Sequence, residues 1–536
     1  MKSITEDGGN LLTRSFVRGF VVSTLMMLVL TLIVRAQTTP PGATQDTAVT
    51  DTAERAAQNV QGQSQTAPAQ TRPTAAEALR TARQTSQVDW TGRLLSVVGL
   101  FVMLGLGWLL SVNRKAVQWN VVIWGTALQL IFAVIILKTP FGQAFFNGIN
   151  NVVVALLGFT VEGARFLFGD LVFNNVPVGT GDPGNVPMTP STPGMVARTG
   201  AFFAFNVLPT IIFFSSLMTV LYYMGVMQKV VKGMAWVMMR TMKTSGAETL
   251  SSAGNIFLGQ TEAPLLIKPF VKTMTNSELF AVMTGGFATV AGGVMAAYVG
   301  MMLHLFPDIA GHLMAASVMS APAGLVFAKM MYPETEEPLT RGSLRVEVEN
   351  PDTNVIDAAA RGAGEGLQLA LNVAAMLLAF IALIALLNAL ISWSSSAINL
   401  TDFLQARGLF GAGEALTLQA IMGWLLAPLA WLMGVPWKDA PEIGTLLGIK
   451  TALNEFVAYL QLSTMITEGN LSPRSVVIAT YALCGFANFS SIAIQIGGIG
   501  GLAPNRRHDL AKIGFRAMIA GTLASFMTAN IAGALI

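Results

Sequence analysis

Between Thr91 and Ile536 the chain presents one apolar stretch after another, with short polar or basic turns between them. Each is close to the length that carries a helix across a bilayer, about 20 residues. With 53% hydrophobic and 11% charged residues and a mean hydropathy of +0.59, a string of soluble domains is excluded. The expected fold is an all-α polytopic membrane protein. A formal net charge of +3 is too small to indicate nucleic-acid binding. Cys484 is the single cysteine, and His304, His312 and His508 lie in separate segments without metal-ligand spacing. No internal disulfide, redox centre or resident cofactor is therefore expected.

Taken in order, the apolar stretches give eight transmembrane helices, over about 92–112, 117–137, 201–227, 279–303, 309–330, 366–392, 475–502 and 511–535. Basic residues collect in cytoplasmic turns. Arg114-Lys115, the Lys229 to Lys243 cluster, Arg341 with Arg345, and Arg506-Arg507 mark such turns and put the start of the first crossing outside. Ahead of it, Arg14 and Arg18 precede an apolar run from Phe20 to Val34 and the small-residue pattern Val34-Arg35-Ala36. Residues 1–36 accordingly read as a cleaved signal peptide in preference to a retained signal anchor. Residues 37–89, rich in Thr, Gln, Ala and Pro, cannot bury enough surface to order themselves and read as a disordered periplasmic tail. Residues 141 to about 200 mix apolar residues with Gly, Asn and Pro, which suits interfacial helices and a loop.

Two stretches do not fit plain crossing helices. Gly259-Gln260-Thr261-Glu262 interrupts an apolar run, and an acid at the centre of a crossing helix costs about 2.5 to 3.5 kcal/mol unless it faces a partner or a water-filled cavity. Its arms, about 245–258 and 262–271, are too short to span. A helix-break-helix that enters and leaves on one side is predicted, with Pro264 in the first turn of the second arm and Gly259 permitting the turn. Residues 441–467 repeat this plan with Asn454-Glu455 at the tip. Each hairpin is followed by a span broken by small and polar residues, Gly285 to Val294 and Cys484 to Ser491, and then by one closing helix. The basic residues bring the first re-entrant hairpin in from the cytoplasm and the second from outside, the inverted repeat of many secondary transporters. This divides the chain into a scaffold of spans and interfacial helices (90–240), a first repeat (241–331), a cytoplasmic loop with the sixth span (332–440) and a second repeat (441–536).

Gly259-Gln260-Thr261-Glu262-Ala263-Pro264, Asn454-Glu455-Phe456-Val457-Ala458-Tyr459 and Gly485-Phe486-Ala487-Asn488-Phe489-Ser490-Ser491 resemble the signature segments of concentrative nucleoside transporters. So do Asn113-Arg114-Lys115 and Leu137-Lys138-Thr139-Pro140, and the resemblance runs from about residue 92 to the end in one register. It implies a secondary transporter of a bacterial inner membrane that imports nucleosides with sodium by alternating access, assembled as a homotrimer in the bilayer. It sets Gln260, Thr261 and Glu262 at the nucleobase, Val294 and Phe486 along the pocket, and Glu455, Asn488 and Ser491 at the ribose. Residue chemistry agrees, since a neutral nucleoside calls for hydrogen-bonding side chains beside a partly apolar wall. It also implies sodium at Asn255, Leu258, Thr289 and Val290, mostly through main-chain oxygens. Some bacterial members couple to protons, and spacing alone does not choose the ion.

Plainer readings stand beside these. Glu262 or Glu455 alone could be a structural acid bonded to backbone N–H groups, although two acids at two hairpin tips weigh against it. Phe489 suits packing more than stacking, Cys484 reads as a small core residue, and Lys268 and Lys450 read as hairpin ends that snorkel to the interface. Gly444 to Thr451 faintly suggests a phosphate loop, but Ile449 separates Gly448 from Lys450 and no strand precedes it. An intramembrane enzyme using Glu262 and Glu455 as an acid/base pair, and a non-transporting nucleoside sensor, are the rival functions, and the protein is not expected to be an enzyme.

Overall fold

The computed structural model describes residues 89–173, 175–177, 179–180, 189–190, 196–198, 203–342, 352–406 and 416–536. The expected signal segment and, apart from Asp89, the expected tail lie outside the described residues. Among the described residues eight helical stretches are long and apolar enough to cross a bilayer. They are not the same eight that the apolar stretches suggest.

Helices α1 (Trp90–Leu109) and α2 (Trp119–Lys138) match the first two expected crossings. The next segment departs from expectation: α3 is one continuous helix, Pro140–Phe168, where interfacial pieces are predicted. The Thr139 hydroxyl caps it by accepting from the Gly142 N–H at 3.0 Å, and Pro140 fills its first turn. The glycines and asparagines of this stretch, the Asn147-Gly148 and Asn150-Asn151 pairs included, lie inside the helix, and a Gly costs only about 1 kcal/mol relative to Ala there. Past Gly169 the chain forms a small antiparallel ribbon in which Asn175–Pro177 pairs with Val196–Arg198 and Gly179–Thr180 with Thr189–Pro190. That ribbon is a minor exception to the all-helical expectation.

Helix α4 (Leu208–Tyr223) then leads through Gly225 into α5 (Val226–Met242) and the short α6 (Gly246–Gly254). After the Gly259 tip comes a 3₁₀ turn (Ala263–Ile267) running into Lys268–Val271. The expected fourth span is two helices, α7 (Asn276–Ala288) and α8 (Gly292–Met302), broken at Thr289–Ala291. Helix α9 (Ile309–Met331) is buried along nearly its whole length, whereas α10 (Val355–Ala397) is exposed along most of its length. Helix α11 (Leu418–Leu432) packs against α12 (Ala440–Ala452), which turns at Leu453-Asn454 into α13 (Glu455–Thr467). The expected crossing over 475–502 is likewise two pieces, α14 (Pro473–Leu483) and α15 (Phe489–Leu502), each too short to cross by itself. Closing helix α16 (Arg507–Leu535) packs against α1, α7, α9 and α14.

Helices α4 and α10 pack along one another through small residues. A Cβ on Gly362 would lie 2.5 Å from Thr219 Oγ1, and one on Gly366 would lie 2.8 Å from Ile212 Cα. This Gly-x-x-x-Gly spacing lets two backbones approach where lipid supplies no hydrophobic drive between helices. The Ser216 hydroxyl uses the approach to donate to the Ala359 carbonyl at 2.8 Å.

The bases of α6, α7 and α9 are tied by a buried charge network. Lys329 Nζ meets Glu248 Oε2 at 2.6 Å and Glu334 Oε2 at 3.3 Å, and donates to Ser277 Oγ at 2.9 Å. Two capping boxes interlock with it, Ser245 with Glu248 and Thr275 with Glu278, and the Ser245 hydroxyl donates to Glu278 Oε1 at 2.6 Å. Each helix start thereby satisfies its free N–H groups with a side chain that also binds a neighbouring helix. Removing one partner of a buried ion pair costs about 3 to 5 kcal/mol, because the other charge is stranded. Lys329→Met is therefore expected to lower the melting temperature of the purified protein sharply, and adding Glu248→Gln to recover part of the loss. Melting unchanged in Lys329→Met would contradict this role.

Candidate functional site

The two tips and the two broken helices meet through side chains that pair with each other. Helix α6 ends at Gly254, and the Leu258 N–H still reaches the Gly254 carbonyl at 2.9 Å. The chain then reverses at Gly259, whose carbonyl accepts from the Ala263 N–H at 3.0 Å. Gly259 does not adopt a left-handed backbone conformation, so the turn itself does not demand glycine. A Cβ on residue 259 would stand 2.0 Å from Glu262 Oε2, so a larger residue there would displace the end of that side chain. The Gly292 N–H donates to the Phe257 carbonyl at 2.9 Å and fastens this tip to the start of α8.

At the second tip, Asn454 caps α13 by accepting from the Val457 N–H at 2.9 Å, which sets Glu455 in the first turn facing inward, 4% exposed. Its carboxylate accepts from the Tyr298 hydroxyl at 2.8 Å and from Asn488 Nδ2 at 3.1 Å. Asn488 serves two elements at once, because its Oδ1 caps α15 by accepting from the Ser491 N–H at 2.9 Å and from Ser490 Oγ at 2.7 Å. Across the interface Gln260 Nε2 donates to Ser491 Oγ at 3.1 Å, and Gln495 Nε2 donates to Gln260 Oε1 at 3.0 Å and to the Met283 carbonyl at 3.2 Å. One chain of side-chain bonds therefore links Gln260 of the first hairpin to Ser491, and the Asn488 cap carries it on to Glu455 of the second.

Thr261 and Glu262 stand apart from this chain. Thr261 Oγ1 lies 3.4 Å from Glu262 Oε1, and both line a cavity of about 1110 Å³ that also borders Tyr222 on α4 and Arg361 and Glu365 on α10. Arg361 donates through Nε at 2.7 Å and Nη2 at 2.8 Å to Asp352, which holds that carboxyl below the usual carboxylate range, and through Nη1 at 2.7 Å to Glu365. Val294 is buried, and Phe486 is half-buried with its N–H donating to the Thr289 carbonyl at 3.3 Å. Phe489 is exposed and stacks on Phe515 at 6.3 Å, consistent with packing. Cys484 is a buried free thiol.

Asn255, Thr289 and Val290 are buried at one junction, with Leu258 half-buried beside them. The Thr289 hydroxyl donates to the Gly285 carbonyl at 2.9 Å and keeps its lone pairs. Neither amide atom of Asn255 has a hydrogen-bond partner. Buried amides are almost always bonded, so an unpaired Asn255 oxygen beside helix-end carbonyls is a donor set that fits a hard cation. Among the described residues no group of His, Cys, Asp and Glu could hold a transition metal.

Tyr298 and Gln495 are the site residues that sequence reasoning passed over. Each lies one helical turn beyond a residue it singled out, Val294 on α8 and Ser491 on α15, and so shares its face. A polar side chain at that spacing in an apolar helix is the signal that would have found them. Lys268 is exposed, as a snorkelling residue should be. Lys450 is not: it is 1% exposed.

Apolar helices that surround two paired breaks, with a carboxylate, amides and hydroxyls gathered between them, form the build of a membrane transport protein. Residues 98–171 match the family model for the "Na+ dependent nucleoside transporter N-terminus", 204–304 match "Nucleoside recognition", and 312–533 match the "Na+ dependent nucleoside transporter C-terminus". The chain is 45% identical over 444 residues to an uncharacterized transporter of Haemophilus influenzae, a match covering 82% of this chain and 97% of that protein. It is 40% identical over 457 residues to sodium/nucleoside cotransporter 1 of Rattus norvegicus, covering 83% of this chain and 64% of the rat protein. The substrate-bound, inward-facing structure of CNTnw matches with a TM-score of 0.70 at 41% identity, over 82% of this chain and 97% of that one. An outward-facing structure of a CNTnw variant matches with a TM-score of 0.71 at 40% identity, over 83% and 98%. The chain belongs to the Na+-dependent nucleoside transporters, the concentrative nucleoside transporter family, whose members are transporters and not enzymes.

Asn488 offers a direct separation of cap from site. Ser caps a helix as well as Asn does, whereas loss of a cap costs about 1 kcal/mol. Asn488→Ser should keep α15 and the melting temperature close to the wild type while removing the amide donor to Glu455. Nucleoside binding by calorimetry should then fall by about tenfold or more, as for a lost hydrogen bond to a charged group. Unchanged binding would show that Asn488 is only a cap.

Proposed function

We propose that this protein imports nucleosides by symport with sodium, with the two hairpins and their broken helices moving together against a scaffold that includes α4 and α10. In this reading the hairpins are re-entrant, enter from opposite faces and form an inverted repeat. The bilayer is that of a bacterial inner membrane. The observation that carries the proposal is Glu455, a buried carboxylate held by two neutral donors at the meeting of both repeats. A carboxylate without a cationic partner is suited to accept from the hydroxyl pair of a ribose, which replaces Tyr298 or Asn488 bond for bond.

Asn488 and Ser491 complete the ribose end in this reading, and Gln260, Thr261 and Glu262 take the nucleobase, with Val294 and Phe486 beside it. The Gln260–Ser491 bond opens to admit the substrate, and amide and hydroxyl each find a ligand partner. Sodium is taken by Asn255, Thr289, Leu258 and Val290, where the unpartnered Asn255 amide supports an oxygen-lined ion site. The largely exposed apolar surface of α10 supports a scaffold contact between copies, as a homotrimer requires.

Proteoliposomes holding the full chain should accumulate radiolabelled uridine or adenosine under an inward sodium gradient. Accumulation driven by an inward proton gradient and indifferent to sodium would replace sodium with protons as the coupling ion. Glu455→Gln keeps the shape of the side chain but loses a charged acceptor, worth about 1.5 to 3 kcal/mol. Uptake at low nucleoside should fall by about 10- to 100-fold. Near-normal uptake by that variant would remove the ribose assignment.

A further inference from the structure

Two lysines are buried among the described residues, and they are treated differently. Lys329 meets two carboxylates, Glu248 at 2.6 Å and Glu334 at 3.3 Å. Lys450, 1% exposed, has no ion-pair partner among the described residues and donates to one group, the Ala482 carbonyl, at 2.8 Å. An ammonium removed from water is expensive unless something replaces its hydration. Ala482 lies in the last turn of α14, immediately before the break at Cys484. The carbonyls of a last helical turn have no intrahelical donors and carry the negative end of the helix dipole, so a cation is favoured there. Lys450 is on α12, one turn before the Asn454-Glu455 tip.

The corresponding junction of the first repeat has the same parts and lacks the lysine. Helix α6 ends at its tip beside the end of α7, which breaks at Thr289. No cationic side chain is buried there, and Asn255 presents an amide with neither atom bonded. One junction therefore holds a cation on a side chain, and the other holds unpaired oxygen in the corresponding place.

We infer that the Lys450 ammonium is a built-in cation of the second repeat, doing at the α12–α14 junction what sodium is proposed to do at the α6–α7 junction. It ties the terminal carbonyls of a broken helix to the hairpin beside it and sets the field at Glu455. Lys450 is thus a positioning residue, and the carrier needs one free cation where two symmetric junctions would need two. The inference rests on the reading that Asn255 and Thr289 hold sodium.

Nucleoside uptake into proteoliposomes, measured against sodium concentration for the wild type and for Lys450→Ala, Lys450→Met and Lys450→Arg, tests it. In Lys450→Ala the vacated space admits a free cation, so half-saturation moves to higher sodium, the Hill slope exceeds that of the wild type, and added methylammonium restores uptake. Lys450→Met fills the space without charge, so uptake falls by about tenfold or more and methylammonium does not restore it. Lys450→Arg keeps the charge and retains uptake above Lys450→Met. Assembly of Lys450→Arg alone among the three also supports the inference, because it makes the charge the requirement. Uptake by Lys450→Met within about twofold of the wild type overturns it. So does a Lys450→Ala variant with an unaltered sodium curve and no response to methylammonium, or failure of Lys450→Arg to assemble. Sodium-independent uptake by the wild type would remove the sodium assignment instead, and the contrast between Lys450→Arg and Lys450→Met still decides the role of the charge.

Discussion

Everything at the centre of this protein follows from the need to satisfy helix ends in a place where water is scarce. Breaking a crossing helix frees backbone N–H and C=O groups, and within a membrane these must be met by protein or by ligand. The breaks after α7 and α14 and the tips after α6 and α12 do this through a main-chain bond, a lysine from another helix and a cap that also holds a second element. Phe257 and Gly292 join the first tip to its broken helix, Lys450 and Ala482 join the second, and Asn488 caps α15 while holding Glu455. The polar residues that could take a solute are thus also the ones that make the irregular backbone possible.

The same economy explains why the charges sit where they do. Lys329 pairs with Glu248 and Glu334 at the helix bases, and Glu278 beside them is held by the Ser245 hydroxyl and the Thr275 N–H. Glu455 has only neutral donors within bonding distance, and Glu262 faces a cavity rather than a cation. Charges that hold the fold are paired, and charges near the proposed path of the solute are left with partners that can be exchanged.

Much of this was legible in the sequence because lipid imposes a simple rule on composition. The polar interruptions at Gln260 to Glu262 and at Asn454-Glu455 stood out against apolar neighbours, and the structure brings Gln260, Glu455, Asn488 and Ser491 into one network. What was not legible depends on distances that composition does not encode. The stretch over 141–168 carries enough Gly and Asn, some of them adjacent, to suggest several short interfacial helices, yet one helix absorbs them all. Gly259 looked like a turn residue, yet its backbone is not left-handed and its open side is filled by the Glu262 carboxylate. Lys450 looked like a snorkelling end because a lysine at the end of an apolar segment normally reaches water, and only the fold shows the Ala482 carbonyl that accepts from it near the tip. Tyr298 and Gln495 were hidden because a single polar residue in an apolar helix has many ordinary explanations.

The bonded chain Gln495–Gln260–Ser491, together with the grip of Tyr298 and Asn488 on Glu455, has a consequence for discrimination. In the reading proposed above, a molecule gains entry only by offering replacements at both ends in one body. A free sugar would then exchange bonds at Glu455 and leave the glutamine pair shut, and a free nucleobase would do the reverse. Either fragment strands some buried polar group, and only an object that carries both halves at a fixed separation opens the whole network without leaving a debt of unmade hydrogen bonds.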